Sequence, residues 1–164
     1  MKINICILGL GYVGLPLILN LSKRFNCVGF DIDQKRIKNL KANKDTNKEF
    51  SSYNFKNKKI KFTFEISEVK NCNFFIVCVP TPITKNKKPN LNNLNSAIAS
   101  ISKILKKNDI IFIESTIYPG LTEKYKYFLE KKTGLKNDKD FFIGYSPERV
   151  NPGDKINTLN NINK

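Results

Sequence analysis

Histidine and tryptophan are both absent from these 164 residues. Without histidine the chain has neither the commonest general base nor a leading metal ligand. Acid is scarce, with 14 Asp+Glu against 29 Lys+Arg and a formal net charge of +15. Such an excess can mark a nucleic-acid surface. Here the lysines are spread along the chain, many beside asparagines, and they do not gather with aromatics on one element. A solvated Lys/Asn-rich surface accounts for them, and no nucleic-acid partner is expected. The same surface would attract a small anionic substrate. Cysteine is sparse: Cys6, Cys27, Cys72 and Cys78 lie in or beside apolar strand-like runs, and none has metal-ligand spacing. They read as small buried hydrophobes in a reducing compartment, with neither a disulfide framework nor a metal. The one long uncharged run, Ile3 to Leu21, is broken by Gly9, Gly11, Gly14 and Pro16, and no small-residue cleavage site follows it. A signal peptide or membrane helix is thereby disfavoured, and a cytoplasmic chain without a membrane partner is expected.

The length suits one domain, residues 1–164, with a real core. Apolar strand-like runs alternate with helical ones. Strands are expected near 3–8, 27–31, 61–64, 73–79, 110–113 and 141–144. Helices are expected from Tyr12 to Lys23, Asp33 to Lys44, Leu91 to Lys107 and Leu121 to Thr133, with a short one over Ser67 to Asn71. On the third long helix Leu94, Ile98, Ile101 and Leu105 share a face. This alternation predicts an α/β, Rossmann-like, doubly wound and mostly parallel sheet of about six strands, with helices on both faces.

The richest stretch is Ile3-Asn4-Ile5-Cys6-Ile7-Leu8-Gly9-Leu10-Gly11-Tyr12-Val13-Gly14-Leu15-Pro16. Its glycines have the G-x-G-x-x-G spacing, between a strand and a helix. Gly9 allows a sharp turn out of the strand. Gly11 leaves the backbone open to a pyrophosphate, and Gly14 permits close packing of the new helix. The helix start, with its N–H groups and positive dipole, then faces the phosphates. Pro16 is tolerated in the first turn. Asp31 closes the second strand about 20 residues on, where a carboxylate can accept from the ribose hydroxyls and repel a 2′-phosphate. This favours NAD over NADP. Arg36 lies nearby and could tolerate that phosphate. The competing reading makes Asp31 a helix N-cap.

More polar residues stand at the ends of later strands: Thr81 within Pro80-Thr81-Pro82, Thr116 after Glu114-Ser115, and Glu148 after Ser146-Pro147. Ligands bind at such carboxyl ends in open α/β sheets. Taken in order, the glycine stretch, Val79-Pro80-Thr81-Pro82, Glu114-Ser115-Thr116 and Ser146-Pro147-Glu148-Arg149 resemble the amino-terminal NAD-binding domain of the UDP-glucose/GDP-mannose dehydrogenase family. The resemblance covers essentially the whole chain. Ser146 to Asp154 is similar to the branch acting on UDP-N-acetylhexosamines, the Vi-polysaccharide type.

The resemblance implies oxidation of the C6 hydroxyl of a UDP-sugar to a carboxylate, with two NAD reduced and a cysteine thioester formed and hydrolysed. The substrate implied is UDP-N-acetylglucosamine or UDP-N-acetylgalactosamine, for surface polysaccharide synthesis. By position, Gly9, Gly11, Tyr12, Val13, Gly14, Asp31, Arg36, Thr81 and Thr116 would contact the cofactor. Thr116 and Glu148 would serve the chemistry by positioning a water or relaying its proton. Glu148, Arg149 and Asn151 would meet the substrate. The family's nucleophilic cysteine, its assisting lysine and the central helix that builds its homo-oligomer belong to later motifs. None of the four cysteines here matches that nucleophile. The chain is therefore expected to be part of a longer protein, binding NAD alone without completing the oxidation.

Three rivals stand beside this reading. Tyr127-x-x-x-Lys131 has the spacing of the short-chain dehydrogenase pair, but it falls in a helix with Phe128 and Leu129 and reads as helix surface. A dehydrogenase of the 3-hydroxyacyl or 6-phosphogluconate type would share the amino-terminal fold, but not the motifs at Pro80 to Pro82 and Ser146 to Arg149. A non-catalytic NAD-binding module is the third.

Overall fold

Leu8 and Phe30 end two adjacent strands of one parallel sheet, and the chain's polar turns begin just beyond them. The structure is a computed structural model describing residues 2–48, 55 and 60–146. Strand β1 (Asn4–Leu8) leads to helix α1 (Gly14–Leu21), strand β2 (Asn26–Phe30) and helix α2 (Gln34–Lys41). Strand β3 (Ile60–Thr63) precedes a single 3-10 turn over Ile66–Val69 and strand β4 (Phe74–Val77). Helix α3 (Asn92–Ser102), strand β5 (Asp109–Ile113), helix α4 (Leu121–Thr133) and strand β6 (Phe141–Tyr145) complete the described chain.

All five pairings are parallel, in the order β3-β2-β1-β4-β5-β6. The first three strands build outward from β1 in one direction. The chain then crosses back, and β4 pairs on the other side of β1. Their carboxyl ends diverge there, at the topological switch point where open α/β sheets bind ligands.

Alternation along the strands sorts the core into two layers. Ile5, Ile7 and Ile76 pack with Leu15, Ile18, Ile37 and Leu40 of α1 and α2. Cys6, Leu8, Phe75, Val77 and Ile111 pack with Leu94, Ile98 and Ile101 of α3 and Leu121 and Leu129 of α4. Each such buried side chain contributes about 1.5–3 kcal/mol relative to exposure. The uncharged run from Ile3 is divided among β1, a loop and the eight-residue α1. Among the described residues no helix is long and apolar enough to cross a membrane.

Three helices stop short of their expected ends, α1 by two residues at Leu21, where Lys23 and Arg24 N–H bond three residues back to Asn20 O and Leu21 O. Helix α2 ends at Lys41 because Asn43 turns left-handed (φ 57°). Lys44 N–H then reaches back to Asn39 O and Asn43 N–H to Leu40 O, the Schellman pair of bonds. Helix α3 ends at Ser102, so Leu105 lies off the helix, although it still packs against the core. Ser102 Oγ donates to Ala99 O at 2.8 Å, and Lys103 and Ile104 bond three residues back, tightening the last turn.

Asp109 opens β5 fully buried. It accepts from Lys106 N–H at 3.0 Å and from Lys106 Nζ at 2.8 Å. Burial pushes its carboxyl above the ordinary value, against the pull of Lys106. The native chain therefore holds this proton more tightly than the unfolded chain. That contribution to stability is greatest below the unfolded value of about 3.9 and is lost as pH rises through the folded one. Asp109→Asn should gain on the wild type across that window. Urea midpoints of both chains between about pH 3.5 and 6 check it; a pH-independent difference would refute it.

Candidate dinucleotide site

The loop leaving β1 is held by contacts that leave little room for other residues. Gly9 sits at φ +91°, donates to Phe30 O at 2.9 Å, and would press a Cβ to 2.8 Å from Cys78 O. The backbone region and the close approach both demand glycine. Gly14 opens α1 against Gly9, and a Cβ there would fall on Gly9 O, well inside contact distance. Gly11 is different. Its φ is not left-handed, and nothing lies within 4 Å of where its Cβ would stand. The fold does not require glycine at that position.

Between them, Leu10 is gripped at both backbone polar groups. Its N–H donates to Asp31 Oδ2 at 2.8 Å, and its carbonyl accepts from Arg36 Nε at 2.9 Å. The other Asp31 oxygen accepts the N–H of Asp33 at 3.0 Å. The cap of α2 is Asp33, whose side chain accepts from Arg36 N–H. Asp31 is thus not the N-cap; its carboxylate is aimed back at the glycine loop.

Across the switch point, Thr81 Oγ1 donates to Thr116 O at 3.0 Å, tying the loop after β4 to the loop after β5. Ser115 Oγ lies 2.7 Å from Val79 O, and Asn93 Nδ2 donates to Pro80 O at 3.0 Å. These bonds join segments more than ten residues apart and shape the far wall.

The result is a cleft of about 670 Å³ at the carboxyl ends of β1, β2, β4 and β5. Gly9, Gly11, Tyr12, Val13, Asp31, Arg36, Thr81 and Thr116 all line it. Gly14, expected among the contacts, does not; its packing on Gly9 sets it behind the loop. Glu148, Arg149 and Asn151 lie outside the described residues. Sequence reasoning missed Ile32 and Asn47 on one wall and Ser96 and Ser100 of α3 on another. Ile32, directly after Asp31, is 75% exposed. An apolar residue directly after the acid at the end of the second strand was the available signal. The serines gave none, since their place depends on how α3 crosses the sheet. Tyr127 and Lys131 are exposed on α4 and do not line the cleft.

A dinucleotide fits these residues. No side chain caps the start of α1, and its first turn carries no acid, so its N–H end is left for an anion. The space beside Gly11 is open for a pyrophosphate.

The NAD-binding domain model of the UDP-glucose/GDP-mannose dehydrogenase family matches residues 3–164. The chain belongs to that family. Its cofactor is accordingly NAD. This dehydrogenase-family chain is 47% identical, over 99% of its length, to UDP-N-acetyl-D-glucosamine 6-dehydrogenase of Pseudomonas aeruginosa. It is 45% identical, again over 99%, to the protein of that name from Salmonella typhi. It spans 39% of the length of either relative. The solved UDP-D-ManNAc dehydrogenase of Pyrococcus horikoshii matches with a TM-score of 0.85 and 36% identity, over 92% of this chain and 37% of that one.

Proposed function

We propose that residues 1–164 form one NAD-binding unit of a longer nucleotide-sugar dehydrogenase that oxidises the C6 hydroxyl of a UDP-N-acetylhexosamine to the uronate. UDP-N-acetylglucosamine is the first candidate, in keeping with the names of the P. aeruginosa and S. typhi relatives. The product would serve surface polysaccharide synthesis. The observation that carries the cofactor site is Gly11: it has no side chain, no left-handed backbone and no neighbour to avoid, yet it faces the cleft. A phosphate approaching the backbone accounts for all three.

NAD, when bound, supplies the hydride acceptor. The start of α1 would hold its pyrophosphate, and Asp31, already oriented by Leu10 and Asp33, would accept from the adenosine ribose hydroxyls. Val13 and Tyr12 would flank the phosphates. Thr81 and Thr116, linked to each other, would border the reacting end. Thr116 and Glu148 would position a water or relay its proton, and Glu148, Arg149 and Asn151 would meet the sugar nucleotide. Of the four cysteines only Cys78 lines the cleft, and it is 9% exposed. Burial pushes the Cys27 thiol up to about 11, which makes it a poor nucleophile at neutral pH. We assign the nucleophile to none of them. The same reading has the protein cytoplasmic, acting without nucleic acid or membrane, and homo-oligomeric as the longer protein.

Calorimetric titration with NAD and NADH, on wild type and Asp31→Ala, tests the site. Asp31→Ala should weaken NAD by roughly ten- to a hundredfold, losing both a charged acceptor and the grip on Leu10. A folded wild-type chain that binds no NAD would sink the reading. Turnover of UDP-N-acetylglucosamine against UDP-glucose by the longer protein tests the substrate.

A further inference from the structure

Among the described residues lining the cleft, Arg36 is the one cation. It stands on the Asp31 side, where the adenosine ribose would lie and where a 2′-phosphate would arrive. Its charge, however, is already engaged. Nη1 lies 2.7 Å from Asp45 Oδ1 and 2.8 Å from Thr46 Oγ1, while Nε is held by Leu10 O. The pair is out of water: the side chains of Arg36 and Asp45 are 8% and 0% exposed. Opposite charges in contact at low local dielectric attract far more strongly than a surface pair. Asp45 is itself fixed, since Oδ1 also accepts Asn47 N–H at 3.1 Å in an Asx turn, and Asn47 lines the cleft.

The arrangement leaves Arg36 able to brace the glycine loop and unable to offer a net positive charge. Its Nη2 is buried with no hydrogen-bond partner among the described residues, so the group can still donate to a neutral hydroxyl. We propose that Asp45 is a positioning residue for cofactor selectivity: by holding and neutralising Arg36 it denies the cleft a partner for a 2′-phosphate, and so selects NAD against NADP together with Asp31. This rests on the cofactor reading of the cleft.

The test is titration of the 164-residue chain with NAD and with NADP, by calorimetry, with thermal melts to verify folding. Asp45→Asn keeps the shape and an acceptor oxygen but removes the charge. It should raise the NADP-to-NAD affinity ratio about tenfold, whereas Thr46→Val, which changes no charge, should leave the ratio within about twofold. A purely structural role for Asp45 would weaken both cofactors alike and leave the ratio unmoved; that result overturns the inference while the cofactor reading stands. A wild-type chain that is folded yet binds no NAD overturns both. Where Asp45→Asn fails to fold, Asp45→Ser, which removes the charge and keeps an acceptor for the Asn47 N–H, is read in the same way: a rise of about tenfold in the ratio supports the inference, and an unmoved ratio overturns it.

Discussion

Gly11→Ala should leave the fold intact and weaken NAD binding at least about tenfold. The added methyl meets nothing within 4 Å, and the backbone is in a region open to any L residue. In the unfolded chain alanine is the more restricted residue, so stability should hold or rise by about 0.4–1 kcal/mol. The methyl would instead occupy the space through which a pyrophosphate reaches the start of α1. Thermal melts paired with NAD titration measure both halves. Unchanged NAD affinity would show that the phosphates lie elsewhere. A lowered melting temperature would show that glycine at this position serves the fold.

The same substitution three residues later should do the opposite first. Gly14→Ala should cost at least about 3 kcal/mol, a large share of the roughly 5–15 kcal/mol that holds a domain together. The new Cβ would fall on the carbonyl oxygen of Gly9 and press to 3.2 Å from Ile7 Cγ2. A side-chain neighbour could turn aside; a backbone carbonyl cannot. Gly9 is itself pinned by its bond to Phe30 O and its contact with Cys78. Relief would require α1 to move off the sheet, uncovering Leu15 and Ile18, which are at most 1% exposed. Denaturant unfolding of both chains checks this, and a loss under about 1 kcal/mol would mean that α1 can shift cheaply.

These two glycines show how far local pattern reaches. The spacing G-x-G-x-x-G marks a dinucleotide loop and gives each glycine an expected role, the turn for Gly9, the open approach for Gly11 and the helix packing for Gly14, without showing the atoms that impose it. Those roles depend on what lies opposite each α-carbon: Gly9 O for Gly14, and open space for Gly11. Asp31 is a similar case. Its position at the end of β2 was legible, whereas its bond to Leu10 depends on β1 and β2 ending side by side.

What the sequence by itself determined is the set of elements and the chemistry of the loops between them. Apolar runs bounded by Gly, Pro and polar clusters specify strands and helices because the signals act within a few residues. The glycine loop, its strand, its helix and the acid of β2 lie within one such contiguous unit. Helix ends were less legible, because they turn on single residues such as Asn43 and Ser102 whose bonds compete with one more helical turn. Only the tertiary structure decided the rest. It placed β4 beside β1, opened the cleft at their diverging ends, set Thr81 against Thr116 across 35 positions, and closed Asp45 onto Arg36. Each of these is a contact between segments that share no local pattern. Its free energy comes from the burial and charge pairing that exist only once the sheet has formed.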